Sequence, residues 1–229
     1  MSLGDGGNHQ DDAIFGADEI GTQIMGLRDN GVAVVIAAGN DFFTHNSEQG
    51  MGYPGILRGC VSVGAVYDNN EGGFSYGSGA QAFSTASDHI TPFSQRLHES
   101  VTDVCRTDIF APGAPVTSSG INDDQGESVQ HGTSQATPVT TGVLLLMQHF
   151  YRNCVERANL DDIESSDLVD QLVEWLRISG QRINDGDNED DNVVNTGLDF
   201  IRIDALAALK TMRSQFIERL AHQITHYAF

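Results

Sequence analysis

A serine set among small residues, Gly132-Thr133-Ser134-Gln135-Ala136-Thr137-Pro138, runs straight into the apolar stretch Val139 to Met147. The pattern reads as a serine at the start of a buried helix. A serine hydroxyl is a weak nucleophile until geometry and a base activate it. A helix start supplies exposure, unpaired backbone N–H groups and partial positive charge, which together would stabilise an oxyanion. The small neighbours would let a substrate carbonyl approach closely. The same residues also read as an ordinary helix N-cap, and Ser134 alone does not choose between the two. Pro138 suits either reading, because the first turn of a helix tolerates a missing N–H.

A second stretch, Val34-Val35-Ile36-Ala37-Ala38-Gly39-Asn40, is a β-branched run ending in small residues and an amide. It has the composition of a buried parallel strand. In α/β sheets chemistry gathers beyond the carboxyl ends of the strands, which is where Asn40 would sit with its NH₂ group as a donor.

Ala37-Ala38-Gly39-Asn40 together with Gly132-Thr133-Ser134-x-Ala136-x-Pro138 resembles the subtilisin-like serine proteases, the subtilase family. Other stretches resemble it in the same order: Met1-Ser2-Leu3-Gly4, Tyr53-Pro54-Gly55 followed by Val61 to Val66, Phe110-Ala111-Pro112-Gly113, and Thr196-Gly197 followed by Arg202 to Leu209. The likeness spans residues 1 to about 210. It implies an α/β fold, a parallel β-sheet flanked by helices in a three-layer, subtilisin-like architecture. It further implies hydrolysis of peptide bonds through an acyl-enzyme, with Ser134 as nucleophile and Asn40 plus the Ser134 N–H as oxyanion hole. Ser2, Leu3 and Gly4 would pair with an extended peptide in β fashion, and Ala37, Ala38 and Gly39 would wall the pocket for the side chain before the scissile bond.

The departure from the family concerns the base. Subtilases order their triad Asp, His, Ser along the chain, so both partners of Ser134 are expected upstream of Met1. His131-Gly132-Thr133 imitates the family's His-Gly-Thr helix start, but it lies inside the serine motif itself. The histidines at 9, 45, 89, 98, 149, 222 and 226 are not followed by Gly-Thr. The expectation is a catalytic domain lacking its N-terminal part, with residues 1–210 as the C-terminal portion, and nearly inert alone. A sheet edge would be open where the missing strands belong. A degenerate subtilase-like domain that binds peptides or partners without catalysis is the alternative. An unrelated α/β-hydrolase is disfavoured because Ala136 stands where Gly-x-Ser-x-Gly needs glycine.

The 229 residues suffice for one domain, and no apolar run is long enough to span a membrane. With 32 acidic against 12 basic side chains, the net charge of −20 disfavours nucleic acid as a partner. It fits solubility through repulsion, high salt or acidic surroundings, or basic substrates. Cys60, Cys105 and Cys154 have no zinc-type spacing and give no disulfide framework, and Cys60 reads as core. Secretion follows from family habit alone.

Alternating helical and extended patterns place a helix over 13–29, a strand over 32–37, short strands at 61–66 and 108–110, and a helix over 164–178 with Trp175 in its packing face. Residues 67–108 are turn-rich. No cofactor is required for the serine chemistry. The acidic run 185–191 could take a structural calcium ion, although it lacks the spacing of an EF-hand loop. Residues 203–229 predict an amphipathic helix extending the domain, with Leu206, Leu209, Met212, Phe216, Leu220, Ile224 and Tyr227 on one stripe. Glu218, His222 and His226 share a face at metal-ligand spacing, which reads more simply as a polar stripe, so no metal site is assigned.

Overall fold

The computed structural model of the chain describes residues 1–15, 18–101, 109–121, 123–158, 162–186 and 188–226. Its centre is a five-stranded sheet in the order β1-β2-β5-β9-β8. The strands are β1 (Val35–Ala37), β2 (Val61–Tyr67), β5 (Ile109–Ala114), β9 (Asp199–Arg202) and β8 (Gln181–Asn184), while β3 (Phe74–Ser75) pairs with β4 (Gln81–Ala82) and β6 (Val116–Ser119) with β7 (Glu127–Gln130) outside it. β1, β2, β5 and β9 run parallel, and β8 closes the far edge antiparallel to β9. The sheet is therefore mixed, because β8 and β9 are too polar and too close in sequence to need a buried crossover.

Four helices cover it: α1 (Glu19–Asp29), α2 (Thr133–Ala158), α3 (Ser165–Ser179) and α4 (Ala205–His226). α1 starts later than the predicted 13, after a short 3₁₀ turn at Ala13–Phe15, because Asp18 caps it by accepting from the Gly21 N–H at 2.9 Å. It ends at Asn30-Gly31, where Gly31 takes φ +74°. β1 is shorter than the predicted 32–37, since only Val35, Ile36 and Ala37 pair with β2.

The pleat sorts the core. Val61, Val63 and Ala65 of β2 and Ile109 and Ala111 of β5 join α2, α3 and α4 through Met147, Tyr151, Leu172, Trp175, Met212 and Phe216. On the opposite face Ile36 packs with Ile24, Leu57 and Cys60, while Val66 and Phe110 pack with Ile90, Ile183 and Phe200. Trp175 is core, as its helical spacing indicates, and Cys60 is buried with its thiol pushed up to about 11 by burial. Cys105, Asp187 and Tyr227, with the side chains of His222, Ile224 and His226, lie outside the described residues.

α2 departs from the expectation of a buried helix. Ala136, Val143, Leu144 and Met147 face the sheet, but Leu145 is 65% and Leu146 56% exposed. An apolar run on a helix covers its whole circumference, and α2 is packed on one side only. The α4 stripe is likewise split: Met212 and Phe216 are buried, whereas Leu206 is exposed.

The described residues of the acidic run 185–191 are held in a polar clamp. Asp185 is fully buried and forms a bidentate ion pair with Arg96 at 2.8 Å, while also accepting from Thr196. Arg96 in turn stacks over the Phe42 ring. Glu189 accepts from the Ile90 and Gly186 N–H groups, and Asp190 from the Ser84 hydroxyl. Burial pushes the Asp191 carboxyl up to about 6, with the nearby Asp185 and Glu189 charges adding to the effect. Among the described residues no group of three or more His, Cys, Asp or Glu side chains is arranged to hold a metal.

Candidate active site

Ser134 stands in the first turn of α2, and Asn40 stands beyond the carboxyl end of β1, so the topology brings together two residues 94 positions apart. The joint between them is Thr133. Its backbone N–H donates to Asn40 Oδ1 at 2.9 Å and its hydroxyl donates to the same oxygen at 3.0 Å, while the Gly39 N–H donates to that hydroxyl at 3.3 Å. A backbone N–H can only donate, so the atom it meets must be the amide oxygen. That fixes the Asn40 NH₂ on the opposite side, and among the described residues it has no hydrogen-bond partner. The Ser134 N–H and Oγ are unpartnered in the same way.

The site therefore presents a hydroxyl beside two unused N–H donors at a helix N-terminus, an arrangement suited to holding a negatively charged oxygen. Gly132 makes the approach close: a Cβ there would stand 2.8 Å from Gln135 Oε1 and 3.4 Å from Asn40 Nδ2. The Gly132 N–H is tied to the Gly113 carbonyl at the end of β5, anchoring the serine turn to the sheet.

Pro138 is the sixth residue of α2 rather than part of a free first turn, so its missing N–H does leave an acceptor unpaired, the Ser134 carbonyl. The Ser2 hydroxyl fills that vacancy, donating to Ser134 O at 2.9 Å. The N-terminal segment is thereby attached to the serine turn. It is also attached to β1, through Ala37 N–H to Met1 O at 3.1 Å and the Met1 amine to Val35 O.

Ser2, Leu3, Gly4, Ala37 and Gly39 line one cavity of about 230 Å³ that reaches Asn40, Thr133 and Ser134. Ala38 lies behind that wall. It is fully buried, its N–H is bonded to Val63 O, and its carbonyl accepts from Gly52. The cavity also takes in Asp5, Asp41 and Gly52, whose part depends on contacts between distant segments. His131 is not among the lining residues. Its ring meets Phe74 edge-on at 4.7 Å, its Nδ1 lies 3.4 Å from the Tyr76 hydroxyl, and burial favours its neutral form.

Thr133 is a positioning residue that the sequence motif hides behind the serine. Thr133→Val keeps the shape but removes the hydroxyl that links Gly39 to Asn40, leaving buried partners unsatisfied. Turnover of the active protein is expected to fall about tenfold with KM little changed, and Thr133→Ser is expected to restore it. Steady-state kinetics on the two variants checks this.

Residues 1–174 match the family model described as the subtilase family. A curated relative, an extracellular serine proteinase of Thermus sp. (strain Rt41A), is 29% identical over 151 residues, which cover 66% of this chain and 28% of that protein. Among solved structures, the prenylagaramide maturation protease PagA superposes with a TM-score of 0.59 at 20% identity, over 90% of this chain and 60% of that one. Sphericase gives a TM-score of 0.54 at 24% identity, over 89% and 56%. The chain thus spans little more than a quarter of its curated relative and about three fifths of these structures. A family match over most of the chain and a shared fold agree with the residues already placed: the chain belongs to the subtilase family.

Proposed function

We propose that the protein is a serine endopeptidase in which Ser134 attacks the peptide carbonyl, and the Asn40 side-chain NH₂ and the Ser134 backbone N–H receive the oxyanion. The observation that carries this reading is the locked Asn40 amide, whose oxygen is occupied by Thr133 and whose NH₂, like the Ser134 N–H and Oγ beside it, has no partner among the described residues. An oriented donor without a partner is what a site for developing charge requires, because no reorganisation is then needed during reaction.

In this reading the His and Asp of the triad come from residues N-terminal to Met1. No described side chain accepts the Ser134 proton, and the exposed Leu145 and Leu146 on α2 give such a segment an apolar face to pack against. Peptide would enter along Ser2 to Gly4 and place one side chain in the adjoining cavity. No cofactor enters the chemistry. The name of the Thermus relative, an extracellular proteinase, supports the same placement for this protein.

The test compares residues 1–229 with a longer chain that carries the upstream residues, both given a fluorogenic peptide mixture. The longer chain is expected to hydrolyse it, with residues 1–229 slower by about 10⁶, the size of loss seen in subtilisin when a base or nucleophile is removed. A longer chain as inert as residues 1–229, with peptide binding retained, would favour the degenerate binding domain.

A further inference from the structure

The cavity beside Ser134 carries charge that the peptidase reading does not use. At about 230 Å³ it is the size of a side chain rather than of a cofactor, and its lining holds two carboxylates, Asp5 and Asp41, with no Lys, Arg or His. Burial alone would raise Asp5, but the N–H groups of Tyr53 and Gly7 and the His9 ring more than offset it and hold the carboxyl below the ordinary carboxylate range. Its side chain is nevertheless 47% exposed. Asp41 is half-buried, and among the described residues its carboxylate accepts only from Thr44, on Oδ1 at 3.3 Å.

A third acceptor stands behind the lining. Gln95 is fully buried, and its Nε2 is spent on Gly7 O at 3.0 Å and Asn8 Oδ1 at 2.8 Å. That turns Oε1 the other way, where it has no hydrogen-bond partner. It points between two glycines of the cavity lining: a Cβ on Gly39 would stand 1.8 Å from it, and one on Gly52 3.6 Å. Gly39 holds φ +115°, a conformation that favours glycine, and the Gln95 oxygen fills the place that a side chain there would take. A buried acceptor without a donor is costly unless something supplies one.

Two carboxylates in a side-chain-sized lining without a cation call for a ligand group that is cationic and rich in donors. We infer that this cavity selects substrates with arginine or lysine immediately before the scissile bond, Asp5 and Asp41 pairing with the charge. The inference rests on the peptidase reading and adds the substrate class to it. Guanidinium matches the set better than ammonium, since its planar fork can reach several oxygens at once. The net charge of −20 also favours the approach of cationic peptides.

The experiment uses the full-length protein and matched fluorogenic peptides differing only before the cleaved bond: arginine, its uncharged isostere citrulline, leucine and glutamate. Active sites are counted by fluorophosphonate titration so that the nucleophile is read separately from the preference. Arginine is expected to exceed citrulline by about tenfold or more in kcat/KM, and glutamate to be the poorest. Asp5→Asn combined with Asp41→Asn is expected to bring the arginine to citrulline ratio near one. Asparagine at position 5 retains the oxygen that accepts from Tyr53 and Gly7. If that variant does not fold, the arginine to citrulline ratio of the unmodified protein decides the matter alone. Titratable sites with equal rates for arginine and citrulline would overturn the selectivity and leave the peptidase intact. Failure of both titration and hydrolysis would overturn the two together.

Discussion

Ser134→Ala in the full-length protein is expected to lower peptide hydrolysis by about 10⁶-fold, the figure known for loss of the serine in subtilisin and not one obtained from this chain. The reasoning is geometric. Ser134 lies in the first turn of α2, and among the described residues it is the one hydroxyl of the cavity lining without a hydrogen-bond partner, those of Ser2 and Thr133 being bonded. Thr133, the preceding hydroxyl, is fully buried and already bonded to Asn40 and Gly39, so it cannot substitute. The Ser134 carbonyl, not its hydroxyl, holds Ser2. Alanine therefore keeps the turn, the cavity and the link to the N-terminal segment while removing one oxygen. Unchanged thermal stability with lost turnover, measured by melting and by peptide hydrolysis, is the expected pair of results.

The second large effect is on Asn40. Asn40→Ala is expected to lower kcat by roughly 10²–10³-fold, again the range found for the side-chain oxyanion donor of subtilisin. The variant also deprives the Thr133 N–H and hydroxyl of their acceptor, so part of the loss would reflect a looser serine turn. Asn40→Asp separates the two contributions. Aspartate keeps an oxygen for Thr133 but puts a negative oxygen where the NH₂ stood, opposing the developing charge. Single-turnover rates for Asp at least as low as for Ala would assign the effect to the missing donor. Near-normal turnover with Asp would instead make Asn40 a brace for Thr133 only.

How far the sequence discloses this site depends on whether the information is local. Ser134 and Asn40 are legible because each sits at a junction with its own signature: a β-branched run ending in Ala-Ala-Gly-Asn, and small residues opening an apolar helix. Helix α3, with Trp175 in its buried face, is legible for the same reason, its period being contained in one segment. The parallel order of β1, β2 and β5 follows from their buried apolar composition.

What stays hidden is set by pairs far apart in the chain. Pro138 leaves the Ser134 carbonyl open, but that Ser2 closes it depends on 132 residues of intervening fold. Gln95 looks like any polar loop residue until Gly7, Asn8 and Gly39 surround it. The antiparallel hairpin of Val116–Ser119 with Glu127–Gln130, which delivers the chain to the serine turn, has mostly exposed polar positions and so lacks the alternation that marks a strand. The exposed Leu145 and Leu146 mark the opposite limit. An apolar run states that a helix can be covered on all sides, and only packing states on which sides it is.

The central claim is that Ser134 is a nucleophile, and covalent labelling reads it most directly. The full-length protein is treated with a fluorophosphonate, digested, and the modified residue located by mass spectrometry. The account predicts one adduct, on Ser134, absent from Ser134→Ala and strongly slowed in Asn40→Ala. An adduct on any other residue, or equal labelling of the protein and its Ser134→Ala variant, would contradict it.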